Sequence, residues 1–340
     1  MSKPFVYKSV FAPYFYSYIR EKESLGYKVD QLKYILLEFD RFFLWVGQKD
    51  RYISSDTVQQ WAETRTNDAK STLYQKYSVL AGFCRYMCLM GHECYIPRLP
   101  REKHNNNFIP SIFSKEQMFN IFNVCDNLVM KEHHANSIMI IIPALIRVLY
   151  STAIRISEAL SIQNKDLDFE RHVIILNNTK NRCQRMAPIN KSLEQVLKQY
   201  IQYRDKIPFP GVVNPDSHLF ISTTGSPCSR KTVLTYFYRI LAKCDIPRCC
   251  DQRGPRLHDI RHTSGVHALI KLTKEGRDLY CSLPTLSTFL GHKKILDTET
   301  YLRLTQEVYP DVLKSNIDIS SVIFSTLTSK FIIDYETRDD

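Results

Sequence analysis

The sequence has no run that would carry it across or out through a membrane. Its longest apolar stretch, SIMIIIPALIRVLYSTAI (137–154), is broken by Pro143 and Arg147, so it reads as a buried core helix and not a span. The opening residues, MSKPFVYKSVFAPYFYSYIR, scatter aromatics among polar residues and contain no apolar h-region, so no secretory signal is expected. Ten cysteines without such a signal are expected to be reduced thiols in a cytoplasmic protein. The C-x2-C pairs of zinc modules are missing too. The densest group, CRYMCLMGHEC, brings Cys84, Cys88, His92 and Cys94 together, but Cys84 and Cys88 stand at i and i+4, one turn after Leu80 and Ala81. That is the spacing of a packed helix and not of a metal-ligand set. No internal repeat is visible, and the only low-complexity patch is the asparagine run at 105–107.

Acidic residues are the minority charge. Lysine and arginine total 46 against 35 acids, a formal net charge of +11. A basic balance of this size favours a polyanionic partner, nucleic acid before an anionic membrane. The length of 340 residues suggests two domains, and 44% hydrophobic residues suffice for packed cores.

The first part reads as helices only. QLKYILLEFDRFFLWV (31–46) puts Leu32, Ile35, Leu36, Phe39, Phe42 and Phe43 on one face. SSDTVQQWAETR (54–65) begins with a serine N-cap, and STLYQKYSVLAGFCRYMCLMG (71–91) ends at a C-capping Gly91. The stretch 95–111 holds three prolines and several basic residues with little periodicity, as a linker does. Beyond it Ser114 and Gln117 form a capping box. HVIIL (172–176), RMAPI (185–189) and HLFIS (218–222) read as short strands. SRKTVLTYFYRILAKC (229–244) reads as a helix capped by Ser229, with Val233, Phe237, Ile240, Leu241 and Cys244 inward.

One helical segment carries unusual polar residues. In LHDIRHTSGVHALI (257–270), His258 and Arg261 stand at i and i+3 and share a face. A fixed histidine beside a fixed arginine suits an oxyanion that needs a proton relay and a bidentate fork. A capped histidine and a surface arginine would account for the pair as well. Arg155 starts the helix of STAIRISEALSI, where Glu158 could make an ordinary i, i+3 pair. Lys180 lies on the hairpin connection NNTKNRCQ, where a solvated turn lysine is the plain alternative. FLGHKKILDTETYLRL supplies His292 and Tyr301, the latter one of twenty tyrosines.

Taken together, Arg155 in AIRISEAL, Lys180 on a hairpin eight residues before Pro188, HDIRHT, LGHKK and Tyr301 resemble the tyrosine recombinases, or phage-type integrases, in order, spacing and surroundings. The likeness spans about residues 108 to 304. One departure is that the hairpin reads NNTKN where the family commonly has Gly-Lys-Gly, which bears on Lys180. The resemblance implies an α+β, mainly helical fold. A helical core-binding DNA clamp domain (1–94) and a linker (95–111) would precede a mixed catalytic domain with a small antiparallel sheet (112–310). It implies DNA strand breakage and rejoining through a 3′-phosphotyrosyl link on Tyr301, without metal, ATP or other cofactor. Arg155 and Arg261 would clamp the phosphate, His258 would take the tyrosyl proton, His292 would add a hydrogen bond, and Lys180 would protonate the leaving 5′-oxygen. Double-stranded DNA is the implied partner, held by two domains closing as a clamp. Arg98, Arg101 and Lys103 on the linker and Arg230, Lys231 and Arg239 on the 229–244 helix are candidate contacts. A homo-tetramer on two DNA sites is expected, with related recombinases or DNA-bending proteins as accessories, in the cytoplasm at the nucleoid. The tail (311–340) holds Ile319, Val322, Ile323, Phe324, Leu327, Phe331, Ile332 and Ile333, too much apolar surface for a free end. It would fold back on its own domain or dock on a neighbouring protomer. A type IB topoisomerase-like enzyme, a catalytically silent DNA-binding regulator and a cysteine/histidine metalloprotein are the competing readings.

Overall fold

A computed structural model describes residues 5–100, 109–129, 137–177, 184–247 and 254–308. The chain divides into two compact units, Met1–Asn107 and Phe108–Asp340.

The first unit is built from α1 (Ala12–Ser24), α2 (Asp30–Trp45), α3 (Ser55–Glu63) and α4 (Lys70–Leu89). The Ser54 side chain accepts from the Thr57 amide at 3.0 Å and caps α3. After α4 the chain reverses through Gly91 in the left-handed region, and the His92 amide returns to the Met87 carbonyl at 3.0 Å. The apolar face expected on α2 is buried, and Phe39 and Phe43 join Phe11, Phe15, Trp61 and Phe83 in an aromatic core. Asp40 is buried beneath the chain entry, and its carboxylate accepts the Lys8 and Ser9 amides at 2.9 and 2.8 Å. The expectation for the cysteines is met by Cys84, which is buried, and corrected for Cys88, which is exposed near the end of α4 where neighbouring helices no longer cover it. Residues 95–100 carry neither helix nor strand.

In the second unit α5 (Lys115–Asp126) starts on the capping box of Ser114 and Gln117. A 3-10 turn, Met139–Ile141, leads into α6 (Ile142–Thr152), which runs through the core as expected for the 137–154 stretch. Pro143 sits in its first turn, where no amide bond is lost. The Arg147 guanidinium reaches the Asp126 carboxylate with two bonds of 2.8 and 2.7 Å. Next come α7 (Ile156–Leu160), β1 (Leu167–Asp168), β2 (Val173–Leu176), β3 (Arg185–Pro188), α8 (Lys191–Arg204), α9 (Arg230–Lys243), α10 (Asp259–Lys274), α11 (Leu279–Leu290) and α12 (Leu296–Val308). No helix among the described residues is long and apolar enough to cross a membrane.

The strands form one antiparallel sheet in the order β1-β2-β3. Ile174 faces Ala187 and Leu176 faces Arg185 across β2 and β3. Ile174, Leu176 and Ala187 are buried, so the period of two puts Arg185 on the same inward face. β1, with two residues, was too short to show a period in the sequence. The strand expected at 218–222 is corrected: His218 and Ile221 make only isolated bridges, to Gln163 and Pro227. Leu219, Phe220 and Ile221 are buried nonetheless; the chain bends at Leu219 and Phe220, so its pairing with Ile162 and, past Gly225, with Ser226 and Cys228 never becomes a continuous ladder. On α9, Val233, Phe237, Ile240 and Leu241 are buried as expected and Cys244 is half-buried.

The unit has two apolar clusters. One gathers around α6, the sheet, α8 and α9. The other is built from Ala153, Val266, Leu269, Ile270, Leu283, Leu286, Leu290, Leu302 and Leu304, and it includes Tyr301.

Candidate active site

Arg261 lies at the meeting of these clusters. It is 3% exposed on the first turn of α10. Its Nη1 donates to the Ala153 carbonyl at 2.6 Å and its Nη2 to the Leu290 carbonyl at 2.7 Å. Both acceptors are helix-end carbonyls without an intrahelical partner, the negative ends of α6 and α11. Ala153 turns its carbonyl this way by adopting a left-handed conformation, φ 50°, which costs a non-glycine residue about 1–2 kcal/mol. Burial and the nearby arginines lower the Arg261 pKa to about 10, so it stays charged at neutral pH. A guanidinium has five N–H donors, so those not held by the two carbonyls are left for the Tyr301 hydroxyl or an anion.

Arg155 follows at the entry to α7. Its Nη1 donates to Glu158 Oε1 at 2.9 Å and its amide to Oε2 at 2.9 Å, so the ordinary i, i+3 pair does form. Glu158 is 1% exposed. Its oxygen Oε2 also accepts from Arg185 Nη2 at 3.0 Å. Burial works against the carboxylate, but these donors outweigh it and hold its pKa below the usual range.

Tyr301, on α12, is 1% exposed. Its hydroxyl is buried; among the described residues it meets no well-aligned hydrogen-bond partner, and the Arg261 guanidinium is the donor nearest to it. Burial raises its pKa, while Arg261 and Arg155 pull the other way. The ring passes over α10 at Gly265, where a Cβ would stand 2.3 Å from Tyr301 Cε1. Only a residue without a side chain admits the tyrosine at this depth.

Two histidines, His262 and His292, flank the tyrosine, and a third, His258, packs on the first of them. His292 follows the left-handed Gly291 that ends α11, and its amide returns to Ser287 at 3.1 Å. Its Nδ1 is 2.9 Å from the Thr298 hydroxyl. With Nδ1 accepting from that hydroxyl, Nε2–H is left to donate. His258 precedes α10, and its ring meets that of His262 at 5.0 Å, edge to face. The His262 ring in turn lies 5.5 Å from Tyr301. Dehydration, reinforced by neighbouring cations, depresses all three to about 4. His258 is exposed at the surface, and for it the neighbouring His262, Arg261 and Arg256 act in that order beside the dehydration. At neutral pH all three are uncharged imidazoles, able to accept a proton.

The structure therefore brings Arg155, His258, Arg261, His292 and Tyr301 into one neighbourhood. Lys180, Arg101 and Lys103 lie outside the described residues. Arg98 is exposed in the first unit. Arg230, Lys231 and Arg239 are exposed on α9 but do not form one stripe. Arg230 and Arg239 are nine residues apart, two and a half turns, and face opposite ways. Arg239 stacks over the Tyr236 ring at 5.7 Å. Sequence reasoning missed Arg185 and His262. His262 neighbours a motif residue but has no spacing signal of its own. For Arg185 a signal existed, an arginine at the inward register of a strand, visible only once that register is known.

A family model, the phage integrase family, matches residues 112–307. The putative integrase/recombinase y4rB of Sinorhizobium fredii is 25% identical over 301 residues, 87% of this chain and 94% of that one. Tyrosine recombinase XerC of Bacillus pumilus is 23% identical, over 70% of this chain and 72% of its own. Among solved structures, the XerH recombinase on its difH substrate before cleavage superposes with a TM-score of 0.61 at 18% identity, covering 84% of this chain and 79% of that one. A lambda integrase dimer on a core site gives 0.57 at 15%, covering 85% and 94%. These likenesses establish the fold: α+β, mainly helical, with a small antiparallel sheet.

Two outcomes follow from this packing. Folding holds the three histidines neutral, while the unfolded chain binds their protons below about 6.5. The unfolded state then binds more protons, so the urea midpoint should fall as pH drops from 6.5 towards 4 and stay level from pH 7 to 8. Gly265→Ala should destabilise by about 1–3 kcal/mol through overpacking against Tyr301, measured by urea unfolding.

Proposed function

The chain belongs to the phage integrase family, and on that premise we propose that it is a site-specific DNA recombinase that breaks and rejoins strands through a covalent bond to Tyr301. The observation that carries the assignment is the Tyr301 hydroxyl, buried beside the Arg261 guanidinium, with Arg155 also acting on it.

The Tyr301 oxygen attacks a backbone phosphorus, and the bond from phosphorus to the 5′-oxygen breaks. A 3′-phosphotyrosyl bond forms in its place, so the phosphodiester energy is kept and no nucleotide is consumed. The tyrosyl proton passes to a neutral imidazole, for which His258 is the assigned acceptor. The raised pKa of Tyr301 keeps the nucleophile protonated until the phosphate arrives. Arg155 and Arg261 offer fork donors to the non-bridging oxygens as charge develops. Because Arg261 is already held by two carbonyls, it needs no rearrangement to do so. His292 adds its Nε2–H. Lys180 protonates the leaving 5′-oxygen, an assignment resting on its place in the sequence. Of the two described lysines beside this sheet in sequence, Lys165 pairs with Asp216 and Lys191 is the first residue of α8.

Duplex DNA is the partner. Phosphate contacts from Arg98, Arg101, Lys103, Arg230, Lys231 and Arg239 supply salt-dependent affinity. The protein works as a homo-tetramer on two sites, as part of a mobile element and in the cytoplasm at the nucleoid. The tail, which lies outside the described residues, docks on a neighbouring protomer. Its apolar content supports that placement. The names of the relatives, integrases and recombinases, support the mobile-element reading.

On a nicked duplex, Tyr301→Phe should form no covalent adduct while binding DNA as the wild type does. Arg155→Ala and Arg261→Ala should each lose about 100- to 1,000-fold in cleavage, in line with other charge-stabilising donors. Denaturing gel analysis of labelled strands reads all three, and an adduct on the phenylalanine protein would move the nucleophile elsewhere. Lys180→Ala should recover preferentially on a substrate whose 5′-leaving oxygen is sulfur, which departs without a proton; equal losses on oxygen and sulfur substrates would assign the acid to another group.

A further inference from the structure

Arg185 has no part in the chemistry so far, yet it bridges two separate segments of the site. It lies on β3 opposite Leu176, on the inward face of the sheet, with its side chain 15% exposed. Its Nη2 donates to Glu158 Oε2 at 3.0 Å and its Nη1 to the Phe289 carbonyl at 3.0 Å. Its Nε is buried, finds no acceptor among the described residues, and faces Gly291. A Cβ on Gly291 would stand 2.6 Å from that nitrogen. Gly291 is thus required twice, for its left-handed φ of 68° and for the guanidinium packed on it.

Two consequences follow. Glu158 alone with Arg155 would form a closed, neutral pair, whose field at a phosphate largely cancels. With Arg185 as second donor, one carboxylate serves two guanidiniums and the trio keeps one net positive charge. The second consequence is geometric. The same stretch, Phe289–His292, gives its Phe289 carbonyl to Arg185 and its Leu290 carbonyl to Arg261, and ends in His292. One guanidinium therefore connects the helix that begins with Arg155 to the turn that bears His292.

We propose that Arg185 is a positioning residue of the strand-transfer site, holding Glu158 and the Phe289–His292 turn together so that Arg155, Arg261 and His292 address one phosphate. This rests on the strand-transfer reading. The fork is essential to it: a lysine keeps the charge, but its single nitrogen cannot replace the two-ended bridge.

The test compares Arg185→Met and Arg185→Lys with wild type in full-length protein. The probe is a nicked duplex recovered from a random-sequence pool by binding to the Tyr301→Phe protein. It is made with an ordinary phosphodiester at the cleavage position, or with a methylphosphonate there. The methyl group removes the non-bridging charge that the arginines stabilise. On the phosphodiester both variants should form the Tyr301 adduct about 100-fold more slowly, the size of loss that a small misplacement causes, with duplex affinity unchanged. On the methylphosphonate the deficit should shrink by about tenfold or more, because a neutral phosphorus centre needs the clamp less. A merely structural role would slow both linkages alike, so equal deficits overturn the proposal, as does a wild-type rate on the phosphodiester. If Arg185→Met does not fold, the same comparison is read on Arg185→Lys. Failure of the wild type to form an adduct on either linkage would count against the strand-transfer reading itself.

Discussion

A buried guanidinium organises the second unit. Arg261 is almost wholly removed from water, which is tolerable only with its hydrogen bonds met. The acceptors are two helix-end carbonyls, at Ala153 and Leu290, so one cation closes off the ends of α6 and α11. Local features that look unrelated serve this one requirement. Ala153 takes a left-handed conformation to turn its carbonyl inward. Gly291 ends α11 at once, so that Leu290 is its last helical residue and His292 comes next. The cation is fixed before any substrate arrives, and its remaining donors face the tyrosine.

Around that cation each group is shifted so as to reinforce the protonation state it has at neutral pH. The histidines are uncharged, the tyrosine is held protonated, and Glu158 is held ionised. Each follows from its company. Imidazoles beside arginines lose their protons more readily, a phenol sealed from water keeps its own, and a carboxylate with several donors stays charged. Neutral imidazoles, a protonated phenol and a surplus of fixed cations are the setting on which the proposed strand transfer rests. Charge excess, and not any single residue, is what the enclosure preserves.

Much of the helical layout was legible because its signals are local. Ser54, Ser114 and Ser229 cap their helices where expected, and the apolar face of α2 is buried. The segment 218–222 was misread as a strand because an extended apolar stretch looks the same whether it joins a ladder or threads a core. The α9 arginines show the opposite limit: their exposure could be read from the helix period, but not what they face.

For the site, order and spacing along the chain singled out Arg155, His258, Arg261, His292 and Tyr301, because each stands in a short motif of recognisable character. The sequence by itself determined the helical nature of the first unit and a basic charge that favours a polyanionic partner, and through its likeness to the tyrosine recombinases it singled out these candidate residues. Tertiary structure alone decided that the Glu158 pair is shared with Arg185, that His262 is lodged against the tyrosine and that Gly265 makes room for its ring. The reason is physical. A motif records what a residue can do along one helix or turn. A carboxylate divided between two arginines, or a glycine fitted beneath an aromatic ring, depends on segments far apart in sequence meeting at a few ångströms.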